Sequence, residues 1–164
     1  MPCDIYLGRA FKMTTSVKNS YLEFPNAIVM RKRIGIDSWY EALLEFSEAI
    51  IQSDNYQASP PGFCIVADSV DEQNTAEFEF FASLGFDVNA TDAVDGVSSV
   101  ENLLVGDTLV LRKYDPETPI VQIYQELLDY AQSNDILISE DFYHVMFTLY
   151  GEPFVDVHAK ILEA

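Results

Sequence analysis

Apolar and polar positions alternate along Tyr21-Leu22-Glu23-Phe24-Pro25, and a second stretch rich in Ile, Val and Met runs from Ala27 to Arg33. This pattern predicts a short strand closed by proline and then a second extended segment. The period changes at Ser38-Trp39-Tyr40-Glu41, which has the Ser-x-x-Glu form of a capping box. Trp39, Leu43, Phe46 and Ile50 then recur at four, three and four residues, with Glu41, Glu45 and Glu48 between them. That spacing predicts a helix with one apolar face, ended by Ser53-Asp54-Asn55. After Pro60-Pro61-Gly62, the segments Phe63 to Ala67 and Thr75 to Ser83 read as strands joined around Asp71-Glu72-Gln73-Asn74. Upstream, only Ile5-Tyr6-Leu7 and Phe11 suggest an additional edge strand.

Residues 85–102 carry Gly85, Asn89, Asp92, Asp95, Gly96 and a serine pair, and read as a connection with a short strand around Phe86-Asp87-Val88. The pattern then restarts. Asp107 to Tyr114 is a predicted strand, and Asp115-Pro116-Glu117-Thr118-Pro119 supplies a turn, an N-cap at Thr118 and a proline at the first helical position. The following helix turns Ile120, Ile123, Tyr124, Leu127, Tyr130 and Ala131 inward and stops near Ser133-Asn134-Asp135. Phe142 to Tyr150 and Phe154 to Leu162 form a closing hairpin turning at Gly151-Glu152-Pro153.

The two halves echo each other. Ile28-Val29-Met30-Arg31-Lys32 returns as Leu109-Val110-Leu111-Arg112-Lys113, Tyr40-x-x-Leu43-Leu44-Glu45-Phe46 as Tyr124-x-x-Leu127-Leu128-Asp129-Tyr130, and Phe78-Glu79-Phe80-x-Ala82-x-Leu84 as Val155-Asp156-Val157-x-Ala159-x-Ile161. Their offsets of 81, 84 and 77 residues fit small changes in loop length. The expectation is one domain over residues 1–164, with repeat 1 at about 18–84, a linker at about 85–102 and repeat 2 at about 103–164. The seam between such halves is a natural place for a pocket.

Composition narrows the classes. At 164 residues, 49% hydrophobic and 13% aromatic, the chain can bury a substantial core and line a cavity. No apolar run approaches the ~20 residues that span a bilayer, and no charged n-region precedes an apolar stretch at the start, so no membrane role and a cytoplasmic location are expected. Cys3 and Cys64 are too few for a disulfide scaffold and lack zinc-site spacing. With 27 acidic against 9 basic residues, the charge of −18 opposes phosphate backbones, so direct nucleic-acid binding is not expected. The same charge suits solubility, a cationic ligand or a basic protein partner.

Tyr21-Leu22-Glu23-Phe24-Pro25-Asn26-Ala27-Ile28-Val29, and Gly106-Asp107-Thr108-Leu109-Val110-Leu111 through Pro116 to Tyr124-Gln125-Glu126-Leu127, resemble the two copies of the GyrI-like effector-binding family. This is the small-molecule sensing domain also attached to AraC-type and MerR-type bacterial regulators. The resemblance covers about residues 18–162 and, without a helix-turn-helix segment, implies a stand-alone member. It implies an α+β fold: duplicated strand-helix-strand-strand units with pseudo-twofold symmetry, in antiparallel sheets with two long helices flanking a cleft. Members bind amphipathic or cationic aromatic compounds through stacked aromatics and one buried glutamate. No glutamate occupies the predicted strand Phe142 to Tyr150, which holds His144-Val145-Met146 and where that residue is expected, so cation recognition by this device is not expected.

Candidate chemistry is sparse. His144 and His158 share no ligand spacing with each other or with either cysteine, so no metal site, cofactor or catalytic residue is assigned. No nucleophile elbow, phosphate loop or dinucleotide fingerprint occurs. Asp87-x-Asn89-x-Thr91 lacks the glycine and glutamate of a calcium loop. Glu79 and Asp156 are the symmetric strand carboxylates, and alternation points them to solvent. Arg31, Lys32, Arg33, Arg112 and Lys113 end the two equivalent first strands as two basic clusters, for which screening by surrounding carboxylates is expected ahead of anion binding.

The ligand-binding candidates are Trp39, Tyr40, Phe63, Tyr124, Tyr143, His144 and Phe147, the polar-tipped aromatics being favoured because a buried Tyr or Trp needs a partner. The leading expectation is a non-enzymatic protein holding an aromatic or amphipathic molecule between its repeats. The alternatives are an interaction protein for a basic partner, such as a toxin, a secretion component or a DNA-handling enzyme, and a hydrolase of the family type.

Overall fold

The structure, a computed structural model, describes residues 16–53, 55–85, 97–113 and 118–163. Six strands and two helices follow in the order β1 (Lys18–Gly35), α1 (Trp39–Gln52), β2 (Gly62–Ile65), β3 (Thr75–Ser83), β4 (Val97–Lys113), α2 (Ile120–Ser133), β5 (Ile138–Leu149) and β6 (Glu152–Ile161). The strands close into an antiparallel barrel, β1-β3-β2-β5-β6-β4 and back to β1. The expected antiparallel sheets with two long helices flanking a cleft are therefore corrected. Each helix has only 14 residues, roughly 21 Å, and among the described residues the sheet leaves no open edge for a cleft to lie over.

Two long strands cause the closure. β1 has 18 residues and β4 has 17, and they pair along most of their length, from Lys18↔Val110 to Met30↔Val97. The start of β4 falls in the stretch read as a linker, because Ser98, Ser99, Glu101 and Asn102 hide its extended character. Pro25 does not close a strand either. Asn26 takes a left-handed conformation (φ 48°) within β1, and the side-chain phase reverses there: Leu22 and Phe24 before it, and Ala27 and Val29 after it, pack into the same cluster. Val105 is the extra residue of a bulge between the Leu22↔Gly106 and Glu23↔Leu104 pairs, and Gly106 supplies the required positive φ of 93°.

The barrel wall is buried on both faces. Phe78, Phe80 and Ala82 of β3 join Leu43, Phe46 and Ile50 of α1 and Ile123, Leu127 and Ala131 of α2 in the larger cluster, whereas Phe81 joins Phe24, Val105 and Val145 in the smaller one. That two-sided burial explains the nearly continuous apolar run in β3. Fully buried Phe46, Phe63, Phe78, Phe80 and Phe81 each contribute roughly 1.5–3 kcal/mol.

Local signals differ from expectation in small ways. A 3-10 turn over Ile36–Ser38 runs into α1, leaving Ser38 at φ −93°, ψ 7° without a side-chain cap, because a capping box needs extended backbone there. Pro119, not Thr118, occupies the N-cap position of α2. The β5–β6 hairpin turns on Tyr150 and Gly151, both with positive φ, as a two-residue turn demands, and Pro153 lies inside β6. The candidate strands at Ile5-Tyr6-Leu7, Phe11 and Phe86-Asp87-Val88, the Asp87-x-Asn89-x-Thr91 segment and Cys3 lie outside the described residues. No helix of the described residues is long and apolar enough to cross a membrane.

Candidate functional site

The β2–β5 ladder sets Phe63 opposite His144, and their rings stack 4.3 Å apart and within 2° of parallel. Gly62 makes this approach possible. A Cβ at that position would lie 2.3 Å from the Phe81 ring and 2.6 Å from the His144 carbonyl oxygen. His144 is 1% exposed, with Nδ1 3.3 Å from the Phe63 carbonyl oxygen and Nε2 2.8 Å from the Tyr124 hydroxyl. A carbonyl only accepts, so Nδ1 carries the proton, Nε2 accepts, and Tyr124 donates. Burial pushes His144 down to about 3, the Phe63 carbonyl opposes the shift, and Lys113 adds to it. The imidazole is uncharged at neutral pH. Tyr124 also stacks on Phe142 at 4.0 Å, and burial raises the pKa of its phenol. Helix α2 is thus joined to the barrel through a neutral, hydrogen-bonded aromatic column.

Trp39 and Tyr40 open α1, directly after the 3-10 turn. The Trp39 ring lies 5.2 Å from Phe63 and meets Tyr40 edge-on at 5.7 Å. With Lys113 at the end of β4 and Pro153, Phe154 and Val155 at the start of β6, these two residues line a concavity of about 330 Å³. Lys113 continues the phase of buried Leu109 and Leu111 and is itself 8% exposed. Its neighbour Arg112 points to the other face, where it bonds Asp156 through two contacts of 2.6 and 2.7 Å. The Arg112 guanidinium also sits 4.7 Å from the centroid of Phe154 and 5.9 Å from that of Phe147, steadying a wall of the concavity from behind.

Of the seven candidates read from the sequence, Trp39, Tyr40, Phe63, His144 and Tyr124 form one connected group on the helix-bearing face. Tyr143 and Phe147 lie on the opposite face with the smaller cluster, Tyr143 at 6.2 Å from Phe81. Burial raises both Tyr143 and Cys64 to about 12, so neither ionises at neutral pH.

That opposite face also holds a second concavity of about 570 Å³, lined by Val29, Arg31, Glu79, Ser98, Val100 and Leu103. Glu79 and Asp156 do not project freely into solvent as alternation suggested. Their face carries an apolar cluster of its own, and each is paired with an arginine, Glu79 with Arg31 at 2.8 Å and Asp156 with Arg112. Two further strand cations also meet carboxylates, Lys32 with Glu45 and Arg33 with Asp71, each at 3.2 Å. His158 is buried against the Thr108 hydroxyl, 2.9 Å away, and burial lowers it to about 4. Among the described residues no group of three or more His, Cys, Asp or Glu side chains could hold a metal ion.

The sequence reading missed Lys113 as a pocket residue, together with Pro153, Phe154 and Val155. Strand alternation from Leu109 through Leu111 carried the signal for Lys113. Nothing local marked Pro153, which read as part of the turn.

The family described as "Domain of unknown function (DUF5085)" matches residues 25–163. No curated protein matches the chain. Among solved structures, the fold is similar to that of the EcmrR C-terminal domain, at 12% identity and a TM-score of 0.65, covering 93% of this chain and 100% of that one. An uncharacterized conserved protein from Listeria innocua aligns at 9% identity and a TM-score of 0.66, covering 90% and 93% of the two chains. A hydrolase from Listeria innocua gives 9% and 0.65, covering 93% and 94%. At these identities the likeness is one of fold.

Proposed function

The chain belongs to the DUF5085 family, whose function is unknown, and from its pocket we propose that it is a binding protein that holds a small aromatic or amphipathic molecule. One observation carries this reading: Trp39, with Phe63 packed behind it, faces a concavity of about 330 Å³ whose walls come from α1, β4 and β6. That volume lies at the lower end of the range for small-molecule sites, and an apolar lining with few polar groups is their usual chemistry. The resemblance of the sequence to effector-binding proteins supports the same reading. Trp39, Tyr40, Phe63, His144 and Tyr124 are the residues assigned to the site, Trp39 and Tyr40 as contacts and the other three as the column that holds Trp39 in place.

Trp39 is the sole tryptophan of the chain, so its emission reports on this pocket alone. A panel of planar aromatic and lipophilic compounds should contain members that both raise the melting temperature and change Trp39 emission. The thermal shift should be lost in Trp39→Ala. Silence across the panel, or a shift that survives Trp39→Ala unchanged, would overturn the proposal.

A further inference from the structure

Helix α1 has a second apolar face. Leu43, Phe46 and Ile50 are buried in the larger core cluster, while Tyr40, Leu44 and Ile51 are 39%, 45% and 67% exposed, with half-buried Ser47 between Leu44 and Ile51. Their spacing of four, three and four residues is that of a coiled-coil seam, with Tyr40 and Ser47 at d and Leu44 and Ile51 at a. The repeat supplies a control. At the 84-residue offset of the two helices, Tyr40 corresponds to Tyr124, Leu44 to Leu128 and Ile51 to Asp135. Tyr124 and Leu128 are half-buried against the core cluster, and an acid stands in the place of Ile51. The same pattern is absorbed by the fold in one helix and presented at the surface in the other.

The edge of this seam is acidic. Glu41, Glu45 and Glu48 each follow a seam residue by one position, all three are exposed, and α1 contains no lysine or arginine. Glu41 and Glu48 stand at e, where coiled coils place the charges that choose a partner. Lys32 bonds Glu45 at 3.2 Å, so an ammonium from this chain already sits on that edge. A second copy would set glutamate against glutamate and a charge of −18 against its equal, whereas a cationic segment is drawn to both. We propose that the outer face of α1 docks a basic amphipathic helix of a protein partner, whose apolar seam covers Tyr40, Leu44 and Ile51 and whose lysines or arginines meet Glu41 and Glu48. The seam spans about 18 Å from Tyr40 to Ile51, roughly three helical turns. Among the described residues, Tyr40 also lines the concavity, whereas Leu44 and Ile51 do not, so this surface stands apart from the pocket reading.

Two synthetic peptides of three heptads test this, both with leucine at a and d, one with lysine and the other with glutamate at e and g. Titrated calorimetrically into the full chain at about 0.15 M salt, the lysine peptide should bind at least about tenfold more tightly than the glutamate peptide. The double variant Leu44→Ser, Ile51→Ser should weaken the lysine peptide at least about tenfold. Glu41→Gln with Glu48→Gln should weaken it too and flatten its salt dependence. These side chains are exposed, so the variants should keep the wild-type urea midpoint, which separates a lost contact from a lost fold. Ile51→Lys, at the most exposed seam position, should also weaken the lysine peptide and covers the case in which the double variant fails to fold. Binding that survives the seam variants unchanged is general attraction to an acidic chain and overturns the docking surface, and equal binding of both peptides overturns the choice of a basic partner. A chain that sediments as a dimer and becomes monomeric with Leu44→Ser, Ile51→Ser carries a second copy on this face, which also overturns the basic partner. Failure of the lysine peptide to bind, whether nothing docks there or another segment of this chain already does, overturns the proposal and leaves the pocket reading intact.

Discussion

Phe63 and His144 are partners across the β2–β5 ladder, their rings 4.3 Å apart, and this pair lies where the first strand-helix-strand-strand run of elements meets the second. The two runs meet there around an uncharged imidazole. His144 has both nitrogens engaged and no water-filled surroundings in which to carry charge.

Acid should therefore loosen the fold above the carboxylate range. The unfolded chain takes up protons on its histidines near the ordinary value of 6.5, while folded His144 waits until about 3 and folded His158 until about 4. The unfolded state then binds more protons, so the stability these groups lend is complete above pH 6.5 and falls as the pH drops toward 3. Well below pH 6.5 each histidine approaches a slope of about 1.4 kcal/mol per pH unit. Urea midpoints measured from pH 7 to 5, where most carboxylates remain ionised, should show this slope. His144→Gln should remove about half of it, and an unchanged slope in that variant would place a charged histidine in the fold.

Tyr124→Phe tests the tautomer. The variant keeps the ring stacked on Phe142 but leaves Nε2 of His144 without its donor. A buried acceptor stripped of its partner costs roughly 1–3 kcal/mol, which should appear as a lower urea midpoint with an unchanged slope in denaturant. If Nε2 carried the proton instead, Tyr124 would be the acceptor, and a proton NMR spectrum of the wild type would show the exchange-protected imidazole N–H on Nε2. The structure requires it on Nδ1.

Gly62→Ala should be among the most damaging single-methyl changes in the chain. Its Cβ would lie 2.3 and 2.8 Å from Phe81 ring atoms and 2.6 Å from the His144 backbone oxygen, and no side-chain rotation can clear a backbone atom. Overpacking of this kind costs about 1–3 kcal/mol where the core can give, and more where it cannot. Loss of the Phe63–His144 contact should appear as lower protection of the β2 and β5 amides from exchange.

Much of this arrangement was legible in the sequence, and the reasons for the remainder are local. Helix α1 was readable because Leu43, Phe46 and Ile50 recur at helical spacing and are buried. β3 was readable because Thr75 to Ser83 has high strand propensity between turn signals, and the strand occupies those residues. The closure of the barrel was not. It depends on Val97 to Val105 pairing with β1, and in that stretch Ser, Asn and Glu side chains resemble a linker, while the pairing energy lies in backbone hydrogen bonds that no side-chain pattern records. The pocket was half readable. Trp39 and Tyr40 stood out as aromatics at a helix start, whereas Lys113 counted only as one of a basic pair until strand phase separated it from Arg112.

Two arginine–carboxylate pairs occupy matching ladder positions, Arg31↔Glu79 between β1 and β3 and Arg112↔Asp156 between β4 and β6, yet they should differ in weight. Arg31 reaches Glu79 through one contact at 2.8 Å, and its side chain is 63% exposed, so Arg31→Met should leave the urea midpoint nearly unmoved. Arg112 grips Asp156 through two contacts, the carboxylate is only 11% exposed, and the guanidinium also lies over Phe154. Arg112→Met should therefore cost about 2 kcal/mol, chiefly by leaving the Asp156 carboxylate poorly solvated and without its partner. Adding Asp156→Asn to that variant removes the stranded charge and should recover part of the loss, which a double-mutant cycle measures as a coupling between the two positions. Equal effects at Arg31 and Arg112, or no recovery in the double variant, would mean that burial of Asp156 does not set the difference.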